Sequence, residues 1–172
     1  SAVTPQLDAL AARSLCFTRA WSSSSWTMPA HATIFTGLYP FQVRVVGETH
    51  VLPREAETVI EQLQAAGYRT AALTDGGFVS GEFGLDQGFA FFSERTRELS
   101  DKLAEARDFL AADDGRPVCL FVQTYRVHWP YRSSAETLRE HGERLGIQGS
   151  VHEVLEQLLV EAREQGHVTA RY

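Results

Sequence analysis

The sequence predicts an α/β fold with a largely parallel sheet flanked by helices, and three observations predict it. Strand-like and helix-like runs alternate along the chain. The run 118–125 is apolar at nearly every early position, as a strand covered on both faces would be. The helix-like segments carry one apolar face each. With 172 residues and 44% hydrophobic side chains, the chain is sized for one domain around a single core. No internal repeat, low-complexity tract or linker divides it, so residues 1–172 are read as one domain.

Each element has its own signal. Thr4-Pro5 ahead of Leu7, Leu10, Ala11 and Ala12 reads as a capped helix start with proline at the first helical position, ending near Ser14. Residues 15–21 alternate with aromatic weight and read as a half-buried strand, broken by the serines at 22–25. Pro29 disfavours helical geometry at the residue before it but suits a first turn. A helix is therefore expected from Pro29 to Gly37, with Thr27 just outside it. Residues 38–54, holding Pro40, Gly47 and Pro53, read as an irregular connection.

Residues 55–66 place Val59, Ile60 and Leu63 on one helical face, and Gly67 supplies the stop. The segment 69–74 is the next strand, ended by Asp75-Gly76-Gly77. Residues 99–112 are helical in pattern, 118–125 is the clearest strand, and 151–164 repeats Val151, Val154, Leu155, Leu158 and Leu159 on one face. The weakest signal lies in 132–149.

Composition excludes some functions. The net charge is −6 and the 16 Lys and Arg residues are scattered, which leaves no basic footprint for nucleic acid or an anionic membrane. No apolar run approaches the about 20 residues of a membrane span. Cys16 and Cys119 lie in strand-like apolar stretches without a C-x-x-C partner and read as core thiols.

The stretch Thr27-Met28-Pro29-Ala30-His31 carries the strongest chemical signal. It sets a hydroxyl at a helix mouth, where unpaired N–H groups and the positive end of the helix dipole favour an anionic ester and a hydroxyl that must ionise to attack one. Capping alone also places a threonine there. His31 lies one turn further in, where a histidine also bonds to the backbone. His128 follows the apolar strand at its carboxyl end, where open α/β sheets hold ligands, and packing among Tyr125, Trp129 and Tyr131 equally accounts for it. Asp75 has a metal or substrate reading, but a D-G-G turn explains it without chemistry. His50, His141, His152 and His167 read as surface residues.

Five blocks in order carry a family resemblance: Thr4-Pro5-Gln6-Leu7-Asp8-Ala9-Leu10-Ala11, Phe17-Thr18-Arg19-Ala20, Trp26 through Gly37-Leu38-Tyr39-Pro40, Ala66-Gly67-Tyr68-Arg69-Thr70-Ala71 and Phe83-Gly84-Leu85-Asp86-Gln87-Gly88-Phe89. Together with Val127-His128-Trp129-Pro130-Tyr131 as a further block, the chain from about residue 4 to 131 resembles the sulfatase family of the alkaline phosphatase superfamily. The resemblance implies an α/β sandwich, incomplete in this chain, whose nucleophile sits at a helix amino terminus, ligates a divalent metal and attacks the sulfur or phosphorus of an ester.

Thr27 matches the nucleophile position of the family signature C-x-P-S-R, in which Cys or Ser becomes formylglycine. The methyl on a threonine β-carbon prevents that oxidation. Threonine is a direct nucleophile in relatives such as nucleotide pyrophosphatase/phosphodiesterases and phosphoethanolamine transferases, where metal ions lower the hydroxyl pKa. His31 stands where the family has Arg, and an imidazole carries its charge only conditionally where a guanidinium carries it permanently. The family analogue of His128 contacts the transferred group or the leaving oxygen. The Gly-Lys-Trp-His-Leu-Gly block of many sulfatases is replaced by Asp75-Gly76-Gly77-Phe78-Val79-Ser80.

The family's metal-binding Asp pair precedes the T-P-x-L-D block, and a second Asp with Asn or His lies far downstream. Neither is in this sequence, which therefore reads as an internal fragment. Calcium or zinc is expected in the full-length protein, with Thr27 the ligand this chain supplies and no ion held firmly by the fragment. The fragment is expected to lack turnover and to be marginally stable, with an unpaired sheet edge. The activity implied is metal-dependent hydrolysis of a small-molecule or glycan sulfate ester. The alternatives are a phosphodiesterase or phosphoryl transferase of the same superfamily and a non-catalytic domain that binds an anion or a partner.

Overall fold

Small side chains mark the strand that is crowded on both faces. In the computed structural model, which describes residues 4–95, 98–112, 114–128 and Val160, β1 (Arg69–Leu73) lies between two parallel neighbours. β2 (Phe91–Ser93) pairs with it in the register Ala71 to Phe91, and β3 (Val118–Val122) in the register Ala71 to Leu120. Ala71 and Ala72 are both fully buried. Successive strand residues face opposite sides, and two alanines in succession let helices approach from both.

Arg69, Ala71 and Phe91 share one face, and α4 (Leu99–Ala111) covers it. Phe109 stacks on Phe91 at 6.4 Å between ring centroids and lies 4.5 Å beneath the Arg69 guanidinium. On the opposite face, α2 (Thr27–Thr36) sets Phe35 edge-on to Phe121 at 5.1 Å and to Phe89 at 5.8 Å. α3 (Val59–Ala65) packs beside α2 on this side. The turn at Gly88 lies so close to Ile60 and Glu61 of α3, at φ +80°, that only glycine fits. The parallel sheet flanked by helices thus agrees with the fold class read from the sequence.

The chain divides into two compact units, one of Arg19–Thr124 and one of Ser1–Thr18 with Tyr125–Tyr172. The first holds the sheet with α2, α3 and α4. The second holds α1 (Pro5–Ala11), which starts after Thr4 with proline at its first position and buries none of its residues.

Several expectations need correction. Residues 15–21 form no strand, and Leu15, Phe17 and Trp21 are 82%, 77% and 90% exposed. Alternation makes a strand only where a neighbour supplies the ladder, and among the described residues none does. Cys16 is accordingly exposed, not a core thiol, and Cys119 on β3 is half-buried. β3 is half-buried along most of its length because it lies at an edge of the described sheet, whereas β1 is the strand covered on both faces.

α2 begins at Thr27 instead of Pro29. Proline in the first turn costs no hydrogen bond, since the first four helical N–H groups lack intrahelical acceptors anyway. α3 begins at Val59, not at 55, because Thr58 and Glu61 form a capping box in which the Thr58 hydroxyl accepts the Glu61 N–H and a Glu61 carboxylate oxygen accepts the Thr58 N–H. Ile60 is buried while Val59 is exposed. β2, at three residues, is too short to leave a pattern and has no counterpart in the sequence reading. The helix expected over 151–164 lies outside the described residues apart from Val160, and among the described residues no helix is long and apolar enough to cross a membrane.

Candidate active site at the mouth of helix 2

α2 runs antiparallel to the strands. Trp26, its N-cap, meets Phe78 beyond the carboxyl end of β1 in an edge-to-face contact at 5.2 Å, whereas Phe35 near its end meets Phe89, which precedes β2. The amino terminus of α2 therefore opens at the carboxyl ends of the parallel strands, where open α/β sheets bind ligands.

Thr27 is the first helical residue and is half-buried. Among the described residues its hydroxyl has no hydrogen-bond partner. The next helical residue, Met28, is fully buried and anchors the turn. The first helical acceptor is Trp26, whose carbonyl takes the Ala30 N–H at 3.4 Å. The N–H groups of Thr27 and Met28 are left to point out of the helix mouth.

His31 is half-buried, edge-on to Phe35 and to Phe121 of β3. Its Nδ1 lies 2.7 Å from the Thr27 carbonyl oxygen. A carbonyl only accepts, so Nδ1 carries a proton and donates it there. The ring is fixed against the residue that bears the candidate nucleophile, and Nε2 is the nitrogen left for a ligand. On a neutral ring Nε2 is a lone pair, so it meets an anion favourably only when the ring is doubly protonated.

The turn after β1 contains groups that the sequence reading passed over. Lys102 on α4 is 2% exposed; it pairs with Asp75 and donates to the Gln123 carbonyl at 2.7 Å. The Gln123 side-chain oxygen accepts the Asp75 N–H at 3.0 Å. This network ties the carboxyl ends of β1 and β3 to α4. Its signal was present in the spacing of Lys102, Ala106 and Phe109, which puts a lysine on the inward face of its helix. Asp75 thereby has a structural cation as partner, which fits the turn reading of D-G-G.

Beside this turn lies a cleft of about 460 Å³. Its lining includes Asp75, Phe78, Ser80, Glu82, Phe83 and Glu94, and one Glu94 carboxylate oxygen accepts the Gly81 N–H at 3.0 Å. Of these, the sequence reading weighed a chemical role only for Asp75.

The remaining histidines differ. His50 is half-buried, and its Nδ1 accepts the N–H groups of Val46 and Gly47, which corrects its surface assignment: it ties a turn in the irregular segment. His128 belongs to the other unit, where it is exposed, its N–H donates to the Tyr125 carbonyl at 2.9 Å, and its ring stands edge-on to Tyr125 at 5.2 Å. His141, His152, His167, Trp129 and Tyr131 lie outside the described residues. Burial pushes the Cys119 thiol up. The hydrogen bond from the Arg116 side chain holds the Asp114 carboxyl below its ordinary value, in a pair open to solvent. Among the described residues no three His, Cys, Asp or Glu side chains are grouped to hold a metal ion.

Fold and site together define an α/β protein with a hydroxyl, unpaired among the described residues, on the first turn of a helix that opens at the carboxyl ends of parallel strands. The sulfatase family model matches residues 1–165, and the chain belongs to the sulfatase family. A solved structure, that of BT4656 in complex with its substrate D-glucosamine-2-N,6-O-disulfate, superposes with a TM-score of 0.69 at 19% sequence identity. The match covers 81% of this chain and 33% of that one, so the chain spans about a third of that protein's length. At that identity the likeness concerns the fold. No curated protein matches the chain by sequence.

Proposed function

We propose that the chain is a partial sulfatase-like catalytic domain, spanning 1–172, of a hydrolase that cleaves sulfate esters of small molecules or glycans. The observation that carries this reading is the Thr27 hydroxyl, without a partner among the described residues on the first turn of α2; the resemblance of its sequence block assigns it the family's nucleophile position. That BT4656 is seen with a sulfated sugar supports a sulfate ester as the ligand class.

In this reading the Thr27 Oγ attacks the sulfur, the bond from sulfur to the alcohol oxygen breaks, and the group is held on Thr27 until water releases it. The proton that Thr27 gives up is balanced by the one the departing alcohol gains. The N–H groups of Thr27 and Met28 face the non-bridging oxygens. His31, when doubly protonated, adds a donor at Nε2.

A divalent cation, calcium or zinc, would lower the pKa of the attacking hydroxyl. The described donor set does not fit such an ion by itself: Thr27 offers one oxygen, and Asp75 is engaged with Lys102. The other ligands are assigned to parts of the longer protein, and no step here runs through the metal.

Threonine in place of Cys or Ser favours a second reading, phosphoryl chemistry at the same hydroxyl, as in a phosphodiesterase or phosphoryl transferase. The test compares hydrolysis of p-nitrophenyl sulfate, p-nitrophenyl phosphate and bis-p-nitrophenyl phosphate by the full-length protein, with and without chelator. Chelator-sensitive turnover of the sulfate supports the proposal. Turnover of phosphate esters alone transfers the assignment to the second reading, and binding of these esters without turnover marks a non-catalytic anion-binding domain.

A further inference from the structure

The cleft after β1 carries a charge pattern opposite to that of the helix mouth beside it. Among the described residues its lining includes Asp75, Glu82 and Glu94 and no Lys, Arg or His. Lys102, behind the turn, compensates Asp75, which leaves the carboxylates of Glu82 and Glu94 as the excess charge. Phe78 and Phe83 add two aromatic rings 5.2 Å apart. Ser80, 6% exposed, is one of the lining residues, and its buried Oγ has no hydrogen-bond partner among the described residues. A buried hydroxyl without a partner is costly unless a ligand supplies one.

Gly76 and Gly77 hold φ of +72° and +59°, so the turn is built of residues that put no side chain into the cleft. The Trp26 ring against Phe78 joins the cleft to the helix mouth that presents Thr27.

We propose that this cleft takes a free ammonium group on the alcohol portion of the substrate, so that the ester is one of an amino alcohol or amino sugar whose nitrogen is unsubstituted. The inference rests on the hydrolase reading for the place of the ester and on the cleft alone for the amine. An ammonium brings three N–H donors and a positive charge, matching two carboxylates, an unpartnered hydroxyl and aromatic faces. An N-sulfated or N-acetylated sugar lacks that charge. The cleft's excess of carboxylates repels the first and gains nothing from the second.

The test uses two probes and one double variant. Titration of the ¹⁵N-labelled full-length protein with D-glucosamine is expected to shift the amides of Gly76 and Gly77 saturably, N-acetyl-D-glucosamine is expected to leave them in place, and Glu82→Gln with Glu94→Gln is expected to weaken the glucosamine response at least about tenfold. Both carboxylates are exposed and glutamine keeps the acceptor toward Gly81, so the variant retains its fold. Equal responses to the two sugars, or a glucosamine response unchanged in the variant, overturn the inference.

In the full-length protein, glucosamine 6-sulfate is expected to exceed N-acetylglucosamine 6-sulfate in kcat/KM by about tenfold or more, with the preference lost in the double variant. Turnover of aryl esters without that preference overturns the amine cleft and leaves the hydrolase reading standing. A saturable amine response in a protein that hydrolyses none of the esters does the reverse.

Discussion

Two polar regions sit at the carboxyl ends of the strands and are built on opposite plans. At the mouth of α2 the groups are left open among the described residues: a threonine hydroxyl without a partner, two N–H groups without acceptors and a histidine fixed through one nitrogen only. At the turn after β1 the groups are closed on one another, with the buried Lys102 satisfied by Asp75 and the Gln123 carbonyl. The difference separates chemistry from architecture. A buried ion pair tied by further hydrogen bonds to two strands fixes geometry, whereas a hydroxyl without a partner among the described residues is available to a ligand.

The largest effect expected from breaking this contrast is at Thr27. Thr27→Ala in the full-length protein is expected to lower kcat by on the order of 10³-fold or more, with the melting temperature changed by less than about 2 °C. A large loss of stability in that variant would make Thr27 an architectural residue like Lys102.

Lys102 is the converse case. Lys102→Met takes the buried lysine from Asp75 at an inward-facing turn, and the expected cost is about 3 kcal/mol, read as a fall of about 6–12 °C in melting temperature. Lys102→Met combined with Asp75→Leu is expected to recover part of that loss, because the carboxylate is removed with its partner. If thermal melts of the single variant match the wild type while turnover collapses, the closed network belongs to the reacting groups and the contrast fails.

A smaller effect is expected at His31. His31→Arg, which turns a permanent charge toward the anion, is expected to tighten inhibition by inorganic sulfate severalfold; an unchanged inhibition constant places the anion away from this ring.

The smallest test separates the sheet from the segment before α2. Iodoacetamide at neutral pH is expected to modify exposed Cys16 about tenfold faster than Cys119, whose raised pKa and partial burial both keep the thiolate scarce. Peptide mass mapping reads the ratio, and equal rates would bring the expected core thiol at Cys16 back into force.

Much of the architecture was legible because it depends on local pattern. Gly67 and Gly37 ended their helices where glycine in the left-handed region does so, and 69–73 and 118–122 were recognisable strands. What the sequence hid depends on neighbours. Residues 15–21 carry strand periodicity but have no partner among the described residues, and the apolar 118–122 is less buried than the alanines of β1 because burial follows position in the sheet. The site divides the same way: Thr27 and His31 share one helical turn and were readable together, whereas Lys102 and Asp75 lie on separate elements and meet only through the fold.

The central claim is that the Thr27 oxygen is the attacking atom. Rapid acid quench of the full-length protein during turnover of its preferred ester, followed by peptide mapping, tests it most directly. A mass increase of about 80 Da, one sulfuryl or phosphoryl group, is expected on the peptide bearing Thr27 and absent from Thr27→Ala. Wild-type turnover by Thr27→Ala, or the adduct on another residue, would contradict it.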